Sequence, residues 1–473
     1  MQNNFTRKYR ELFSDSVAFF ISNFASKILA FLLIPLYTSV LSTEDYGIAD
    51  LLNNTVNVLY PLLTLCIMEA TLRFAFEKKA NKDAVLTNSL AIIALSIVVL
   101  CIATPLVKII SDTMYAYWGW FVAIFAAFNL HQVLTQYAKG IGKTKIFAIS
   151  GVLHTVVIIV SNIMGLLVLK QGLNAYFISI VLGYFVASLY LVIFAKIRIK
   201  KISLDFSLLK EMLKFSIPTV PTVIAWWINT SADKYIIIGY LGVAISGLYG
   251  VAYKIPSILT MVTNIFTSAW TLSAIKSVDD KDSAEYQSSV YKYFNIANVM
   301  ACSVLILLSK SLARILFAKD FFEAWKCVPL LLVAYLFSGL SGFMASSFRA
   351  RKKTQGLMIS TIIGAVVNVL LNLVVIKEFG IMGAAATTVI GFAVTFYIRY
   401  INVKRIIDLK ITLSKDTIVY IILTIQAILI GCEISYSYPI SAVLLIVIIL
   451  IYNSEILYIE KQIVNMIKRV VKK

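Results

Sequence analysis

Four ionisable side chains lie inside apolar stretches that are long enough to cross a lipid bilayer: Lys27, Asp233, Lys234 and Lys254. An unsolvated charge in hydrocarbon is costly, and the ionisable residues that persist there commonly line ion or substrate pathways. An ammonium group in such a place can bind an anion, and a carboxylate can bind a coupling ion or act as a gate. These four residues are therefore the first candidates for binding chemistry.

The three charged residues in the second half of the chain, Asp233, Lys234 and Lys254, allow two interpretations. Asp233 and Lys254 lie at a similar depth, about 10 Å below one membrane surface at a rise of about 1.5 Å per residue. They could form an ion pair that fixes a helical hairpin, with Lys234 extended toward the surface. Alternatively, the lysines bind an anionic substrate and Asp233 gates the site or binds an ion. Lys27 lies near the midplane without an acidic neighbour in sequence, and is the strongest candidate for binding an anion.

Asp50, Asn53, Asn54 and Asn57 form a polar stripe at the spacing i, i+3, i+4 and i+7. This spacing places all four side chains on one face of a helix. Such amides can join helices by hydrogen bonds inside the membrane. We favour the alternative that the stripe faces a water-filled cavity, because it combines an acid with three amides.

The composition is that of an integral membrane protein. Of the 473 residues 60% are hydrophobic and 14% are charged, and the mean hydropathy is +0.87. A helix needs about 20 apolar residues to span the hydrocarbon. About fourteen such runs are predicted, at residues 14–40, 47–69, 84–107, 117–137, 146–169, 173–195, 214–240, 247–273, 293–317, 326–348, 356–376, 381–402, 416–434 and 438–458.

The fold class is predicted to be all-α. The apolar runs are continuous and lack the polar alternation of the strands that form membrane barrels. Kinks are expected at Pro35, Pro61, Pro218 and Pro221, because proline removes a backbone hydrogen bond from a helix.

The basic residues predict the orientation. With a cytoplasmic N-terminus, 33 of the 43 Lys and Arg fall on the cytoplasmic side and 7 on the outer side. This asymmetry predicts that both termini are cytoplasmic. The first run is too long for a signal peptide and lacks a small-residue cleavage site, so the N-terminus is expected to be retained.

Other function classes are disfavoured. The net charge of +19 is spread over alternate loops rather than gathered on one face, which argues against nucleic-acid binding. The five cysteines show no paired spacing, and His131 and His154 lie far apart in sequence, so neither a disulfide framework nor a zinc site is expected. We interpret His154 as a packed or cavity-facing polar residue rather than as a proton carrier. No cofactor is expected.

The two halves of the chain show a weak internal repeat. Leu41 and Gly47 align with Leu241 and Gly247. A second set of matches, from Lys143 to Asn162 and from Lys353 to Asn372, has the same topology. These matches predict two parallel six-helix bundles around a central cavity, at residues 1–200 and 201–410. Residues 411–473 would then add two helices and a basic cytoplasmic tail.

The segment IPTVPTVIAWWINTSADKYIIIGYLGVAISGLYGVAYKI (residues 217–255) resembles the seventh and eighth helices of bacterial polysaccharide flippases. These belong to the multidrug/oligosaccharidyl-lipid/polysaccharide exporter superfamily. The turns at Tyr46-Gly47 and around Gly380 and Gly383 are also similar to that family.

The resemblance implies that the chain transfers undecaprenyl-diphosphate-linked oligosaccharide repeat units across the bacterial cytoplasmic membrane by alternating access, for O-antigen, capsule or other surface polysaccharide. It also implies a polysaccharide polymerase and a chain-length regulator as partners. Lys27, Asp233 and Lys254 match positions where the family carries basic or acidic residues. Lys234 departs from the arginine that is frequent in relatives, which weakens bidentate binding of a diphosphate.

Two other transporters of the same superfamily are alternatives: a cation-coupled drug or metabolite antiporter and a lipid II flippase. The predicted fourteen helices and the basic cavity favour the polysaccharide class. A membrane enzyme is disfavoured, because the chain has neither large loops nor clustered acids or histidines. The sequence also lacks a phosphate-binding loop, since GIGKTK at residues 140–145 does not have the required spacing.

Overall fold

The computed structural model describes residues 31–77, 81–197, 204–276, 282–351, 355–407 and 409–457. These residues form helices joined by short turns, and they contain no strand. The predicted all-α, polytopic fold is therefore confirmed. The α-helices, numbered here in chain order, are α1 Ile34–Val40, α2 Thr43–Leu63, α3 Ile67–Ala75, α4 Lys82–Ile102, α5 Thr104–Ile110, α6 Asp112–Ala116, α7 Trp118–Gly140, α8 Thr144–Asn162, α9 Leu173–Phe194, α10 Phe206–Ser216, α11 Val220–Leu241, α12 Val243–Ala252, α13 Lys254–Lys276, α14 Ser283–Leu316, α15 Val328–Ala350, α16 Gln355–Lys404, α17 Leu413–Gly431 and α18 Ser437–Ile451.

The helices follow the apolar runs. Within the described ranges, eight helices or continuous helical segments are long and apolar enough to cross a membrane, and α2 with α3 forms a ninth candidate that is bent by 63°. Each predicted span after the first coincides with described helix over most of its length. Most of the first predicted span, including Lys27, lies outside the described residues.

The longest helix consists of two spans joined at a sharp turn. α16 contains 50 residues, whereas about 20 suffice to cross a bilayer. Gly380 interrupts it with φ 57° and ψ −143°, a conformation that L side chains rarely adopt. The hydroxyl of Thr387 bonds to Asn372, so the two arms pack antiparallel around the turn.

A matching hairpin occurs earlier in the chain. Gly172, with φ 55° and ψ −133°, begins α9 after a short π-helix, Ile163–Val168, has extended α8. Asn162 donates a 2.7 Å hydrogen bond to the hydroxyl of Ser179 across this turn. A buried amide thus joins the two arms close to a turn glycine in both hairpins.

Proline accounts for several helix breaks. Pro61 lies inside α2, and the 63° bend follows at Thr64–Cys66, where Leu65 and Cys66 both have a φ of 53°. Pro218 lies in a 3₁₀ turn, Ile217–Thr219, that separates α10 from α11, and Pro221 is the second residue of α11. The predicted breaks near Pro61 and Pro218 are therefore present, and Pro35 lies in the first turn of α1, directly after a one-residue break in the helix at Leu33.

A break near the proposed site was not predicted from the sequence. α12 ends at Ala252 and α13 begins at Lys254, with Tyr253 between them. Pro256 explains this break, because its ring clashes with the carbonyl group four residues earlier and it has no N–H to donate. The break lies beside two of the predicted site residues.

Contacts divide the chain into two compact units, residues 1–231 and 232–473. Unit 1 has an apolar core in which α3, α4, α7 and α10 meet around residues such as Met68, Leu86, Val133 and Met212. The predicted boundaries at residues 200 and 410 remain a prediction.

Buried polar bonds hold α17 to other parts of unit 2. The hydroxyl of Tyr452 donates to Asp416 at 2.6 Å, that of Tyr420 donates to Asn295 at 2.8 Å, and that of Ser303 donates to Gln426 at 2.8 Å. These bonds join α17 to α14 and to the segment that follows α18. Polar side chains are thus part of how helices associate here, as expected within a bilayer.

An arginine joins three spans of unit 2. Arg399, on the second arm of α16, donates to the hydroxyls of Ser360 at 3.0 Å and Thr361 at 2.7 Å on the first arm. It also donates to the carbonyl oxygen of Ser341 on α15 at 3.0 Å. The planar guanidinium reaches all three acceptors at once because its donors form a fixed fork.

Candidate functional site

Asp233 is buried in α11, with 3% of its surface exposed. Its Oδ2 accepts a 2.6 Å hydrogen bond from the hydroxyl of Tyr253, and its Oδ1 accepts a 2.9 Å bond from the backbone N–H of Lys234. Each carboxyl oxygen therefore has a neutral donor. A buried carboxyl group requires such partners, since leaving it unsatisfied would be expensive.

Two further hydroxyl groups extend the bonding from Asp233. The hydroxyl oxygens of Tyr253 and Tyr249 lie 3.2 Å apart, one turn from each other, and Tyr249 contacts the hydroxyl of Thr388 at 3.4 Å. Tyr335 packs edge-on against Tyr253, with ring centroids 5.8 Å apart. Asp233 on α11 thus belongs to a cluster with Tyr249 on α12, Tyr253 at the α12–α13 break, Tyr335 on α15 and Thr388 on α16. We call Asp233, Tyr249, Tyr253 and Thr388 the hydroxyl cluster.

Sequence reasoning missed the tyrosines of this cluster. The available signal was the spacing of Tyr249 and Tyr253, four residues apart and directly before Lys254, which places two hydroxyls on one helix face.

Lys254 is the first residue of α13 and is partly buried. Among the residues that the structure describes, its ammonium group has no hydrogen bond or ion pair, and Asp233 is not its partner. The hypothesis of an ion pair between these two residues is therefore not supported, because Tyr253 occupies the carboxyl group instead. The positive charge of Lys254 is not neutralised by an acid in the described part of the chain.

Lys234 lies next to the same cluster. Its Nζ is 5.5 Å from the centroid of the Tyr253 ring, within the range of a cation–π contact. Asp233 and Lys234 therefore both contact Tyr253, and Lys254 is the next residue in the chain. The structure thus brings Asp233 and Lys234 together around one tyrosine, and Lys27 lies outside the described residues.

The polar stripe lies on α2 in unit 1. Asn53, Asn54 and Asn57 each donate to the carbonyl oxygen four residues earlier, at 2.8, 2.7 and 3.0 Å. Asn53 also donates to the hydroxyl of Tyr176 at 3.3 Å. Asn57 is exposed, and Asp50, Asn53 and Asn54 are partly buried. The stripe is therefore accessible along part of its length.

The amide groups of the stripe retain acceptors. No described residue donates a hydrogen bond to the side-chain oxygens of Asn53, Asn54 or Asn57, so these oxygens can accept bonds from hydroxyl groups or water. The backbone carbonyl of Asn54 accepts from the indole of Trp227 at 3.2 Å, which joins α2 to α11 within unit 1. That the stripe faces a cavity stays a prediction.

The two histidines are neighbours in the fold. His131 on α7 and His154 on α8 stack with ring centroids 5.6 Å apart and an interplanar angle of 13°. Their 23-residue separation in sequence was therefore misleading about their distance. No group of three His, Cys, Asp or Glu side chains that could hold a metal ion occurs among the described residues.

A comparison with protein families shows which family the chain belongs to. The family described as "Polysaccharide biosynthesis protein" matches residues 12–271, which is more than half of the sequence. The chain belongs to this polysaccharide biosynthesis protein family. The match includes the α2 stripe, Asp233, Lys234, Lys254 and the hydroxyl cluster up to Tyr253.

One relative and two solved structures extend this result. The "Probable low-salt glycan biosynthesis flippase Agl15" of Haloferax volcanii is 23% identical over 262 residues, which cover 53% of this chain and 54% of the relative. "Lipid II flippase MurJ, inward closed conformation" has a TM-score of 0.74 at 17% identity, covering 94% of this chain and 99% of MurJ. A "multidrug resistance MATE family transporter of the MOP superfamily" in an inward-facing conformation has a TM-score of 0.66 at 15% identity, covering 81% of this chain and 94% of that one.

The family match confirms the predicted polysaccharide biosynthesis family, and the fold is similar to those of a lipid II flippase and a MOP-superfamily transporter. The chain is a multi-pass membrane protein of this family. Its relative and structural neighbours are named as flippases or transporters rather than as enzymes.

Proposed function

We propose that this protein flips undecaprenyl-diphosphate-linked oligosaccharide repeat units from the inner to the outer leaflet of a bacterial cytoplasmic membrane. Both termini would be cytoplasmic, and the product would supply surface polysaccharide assembly. The family match supports the polysaccharide context. The fold shared with a lipid II flippase supports a lipid-linked substrate, since that neighbour is named for a lipid-linked cargo.

One observation carries the proposal furthest: the unneutralised charge of Lys254. A lysine held within a span, beside a helix break and without an acidic partner among the described residues, provides a cation for an incoming anion. A diphosphate is such an anion. Because Asp233 is occupied by Tyr253, the acid nearby does not compete for the ammonium group.

The remaining site residues have proposed roles around this cation. Lys27, in the first span, would supply a second cation to the diphosphate from the other bundle. Lys234 would contribute further positive charge beside Tyr253. Asp50, Asn53, Asn54 and Asn57 would bind sugar hydroxyls, for which amide and carboxylate oxygens are suitable acceptors. A few separated lysines also allow release, since each contact can break independently.

The two-bundle arrangement is part of the proposal. The helix starts at Thr43 and Val243 are 200 residues apart, which is the spacing of the aligned pairs Leu41/Leu241 and Gly47/Gly247. The turn glycines Gly172 and Gly380 share nearly the same backbone angles. These correspondences support two related six-helix bundles that would alternate access to a cavity between them.

The test is export by variants of two lysines in cells that lack the native gene. Lys27→Ala and Lys254→Ala should abolish export of repeat units at normal protein levels, and the oligosaccharide linked to undecaprenyl diphosphate should accumulate on the inner leaflet. Lys108→Ala is the matched control, because Lys108 is exposed near the end of a span and should be dispensable. Full export by both lysine variants would refute the anion-binding role.

The same strain separates the rival functions. Accumulation of lipid II with normal surface polysaccharide would assign the protein to cell-wall precursor export. Loss of dye efflux with normal polysaccharide would instead assign it to drug antiport. Trapped repeat units with normal lipid II and normal efflux are the result that our proposal requires.

A further inference from the structure

An apolar groove opens on the surface of unit 2, between the second arm of α16 and α17. Its volume is about 470 Å³. Phe337 of α15 and Tyr420 of α17 are buried at its floor, with ring centroids 5.1 Å apart. Ile390, Ile401 and Ile421 also line it and are exposed. An exposed apolar groove between two membrane spans is suited to a hydrocarbon chain.

The groove has the length of an acyl chain from one leaflet. Its lining on α16 extends from Val389 to Ile401, which is roughly 18 Å at about 1.5 Å per residue. The hydrocarbon of one leaflet is about 15 Å deep, half of a core of about 30 Å. Near one end of the groove, the hydroxyls of Tyr397 and Thr417 lie 3.0 Å apart and join α16 to α17.

Two basic residues lie just beyond that end of the groove. Lys404 follows Tyr397 by seven positions and Arg405 follows Ile401 by four, so both continue the groove face of α16. The backbone N–H of Arg405 bonds to the carbonyl oxygen of Ile401 at 3.3 Å, which extends the helical turn to this residue. Both side chains are exposed, and neither has an ion pair or hydrogen bond with another described residue. Their charges are therefore available to an anion at the membrane surface.

The groove and the hydroxyl cluster lie on different sides of α15. Tyr335 contacts the ring of Tyr253 in the hydroxyl cluster, whereas Phe337 lines the groove. Two residues that are two positions apart on a helix point about 200° away from each other, at 3.6 residues per turn. The groove therefore faces away from the charges that we propose for the substrate, which favours a lipid of the surrounding bilayer as its occupant.

We propose that this groove binds an anionic phospholipid, with one acyl chain between the second arm of α16 and α17 and the phosphate beside Lys404 and Arg405. These two residues are on the side that the distribution of Lys and Arg predicts to be cytoplasmic. Basic residues next to a span on that side attract the anionic lipids of the inner leaflet. The bound lipid fills the space between the two helices. This binding does not depend on the proposed transport function.

Photo-crosslinking of the full-length protein in phosphatidylcholine vesicles tests the preference for an anionic headgroup. The probe is phosphatidylglycerol or phosphatidylcholine with the same diazirine-bearing acyl chain, and mass spectrometry locates the labelled residues. Phosphatidylglycerol should label the groove residues of α16 and α17 at least about fivefold more than phosphatidylcholine. Equal labelling by the two probes, or labelling spread evenly over all exposed helices, would overturn the proposal.

Charge variants test whether Lys404 and Arg405 bind the headgroup. The double variant Lys404→Gln/Arg405→Gln should lower labelling by phosphatidylglycerol to the level of phosphatidylcholine. Arg349→Gln/Lys410→Gln is the matched control, because it removes two exposed positive charges on the same predicted side and neither residue lines the groove. Equal losses in the two double variants would show that net charge rather than this site attracts the lipid, and would contradict the proposal.

A second pair of variants tests the position of the acyl chain and keeps both cations. Ala393 lines the groove, so Ala393→Phe should reduce labelling of the groove by both probes. Ala442→Phe adds the same side chain at an exposed position on α18 and should leave groove labelling unchanged. Native labelling in Ala393→Phe would place the chain elsewhere and refute the proposal. This pair also answers the case in which the Lys404 and Arg405 variant fails to fold.

Competition separates a bilayer lipid from the chain of the proposed substrate. Unlabelled phosphatidylglycerol should displace the phosphatidylglycerol probe more effectively than unlabelled undecaprenyl diphosphate does at the same concentration. The reverse order would assign the groove to the polyprenyl chain and overturn our proposal. Because labelling is measured without transport, a protein that exports no oligosaccharide but shows the expected labelling would reject the proposed function and leave the phospholipid site in place.

Discussion

The hydroxyl of Tyr253 donates a 2.6 Å hydrogen bond to Oδ2 of Asp233. This bond joins the middle of α11 to the break between α12 and α13, where Lys254 begins the next helix. A neutral donor therefore satisfies the acid, and the adjacent cation stays available. The anion binding that we propose for Lys254 depends on Asp233 being bonded to Tyr253 rather than to Lys254.

The bond between Asp233 and Tyr253 can be measured by a double-mutant cycle. Tyr253→Phe should lower the free energy of unfolding by about 1.5–3 kcal/mol, the usual range for a hydrogen bond to a charged group. Asp233→Asn should be less costly in a Tyr253→Phe background than in the native protein, because the two residues are in contact. Unfolding in detergent, followed by fluorescence, provides the four values.

Tyr335→Phe is the control for that cycle. Tyr335 contacts the Tyr253 ring, but its hydroxyl has no hydrogen bond within the described residues. Its removal should change stability by less than about 0.5 kcal/mol. Strictly additive effects of the Asp233 and Tyr253 variants would show that the bond does not contribute to stability.

Gly364 should be intolerant of a side chain. A Cβ atom added there would collide with the side chain of Thr395 and lie 2.8 Å from the carbonyl oxygen of Gly391, on the opposite arm of α16. Gly364→Ala should therefore destabilise the protein by about 1–3 kcal/mol through overpacking. The thermal midpoint of the purified protein is the measurement.

Gly151→Ala is the matched substitution in open space. Gly151 is inside α8, and an added Cβ atom would meet no heavy atom within 4 Å. The better helix propensity of alanine should stabilise this helix by up to about 1 kcal/mol. Equal thermal midpoints for the Gly364 and Gly151 variants would contradict the close packing of the two α16 arms.

Arg399 should not be replaceable by lysine. Its guanidinium donates to Ser360, Thr361 and the carbonyl group of Ser341 in one plane, and a lysine cannot reproduce this fork. Arg399→Lys should cost about 1–3 kcal/mol, since at least one buried acceptor loses its donor. Arg405→Lys, at an exposed position, should have little effect on the unfolding midpoint. Similar losses in both variants would argue against the triple contact.

An ion pair between the end of α14 and the turn after α17 predicts a pH dependence. Lys310 contacts Glu433 at 2.5 Å, and Lys326 lies 3.9 Å from the other carboxyl oxygen. The hydrogen bond from Lys310 lowers the pKa of Glu433 below its ordinary value. The stabilisation is therefore fully present above the unfolded-state pKa, about 4.3, and is lost as the pH falls through the folded-state pKa.

Glu433→Gln tests that dependence. The variant should be less stable than the native protein at pH 7, and the difference should diminish below about pH 4.3. Thermal midpoints measured from pH 7 to 3 provide the comparison. A difference that persists unchanged at the acidic end would show that the carboxylate charge is not responsible.

The sequence predicted the spans well because a bilayer requires long apolar runs whatever the tertiary structure. It predicted breaks near Pro61 and Pro218 for an equally local reason. The break at Tyr253 was missed, although Pro256 was visible three residues later. The effect of a proline extends to the preceding turn, and the kinks were assigned to other prolines.

The partners of the charges could not be predicted in the same way. Adjacent residues of a helix diverge by about 100°, but the rotation of α11 against its neighbours is set by packing between helices. Sequence spacing therefore suggested Lys254 as the partner of Asp233, whereas in the structure the hydroxyl of Tyr253 bonds to this carboxyl group. Likewise, His131 and His154 are separated in sequence and become neighbours only because α7 and α8 lie side by side.

The bend between α2 and α3 contains strained backbone. Leu65 and Cys66 both adopt a left-handed backbone, which costs an L-residue with a side chain about 1 kcal/mol or more. Natural selection commonly places glycine at such positions, yet this chain keeps two consecutive non-glycine residues in the bend. The backbone of the bend is therefore strained, and a straight helix through Leu65 and Cys66 would not carry this strain.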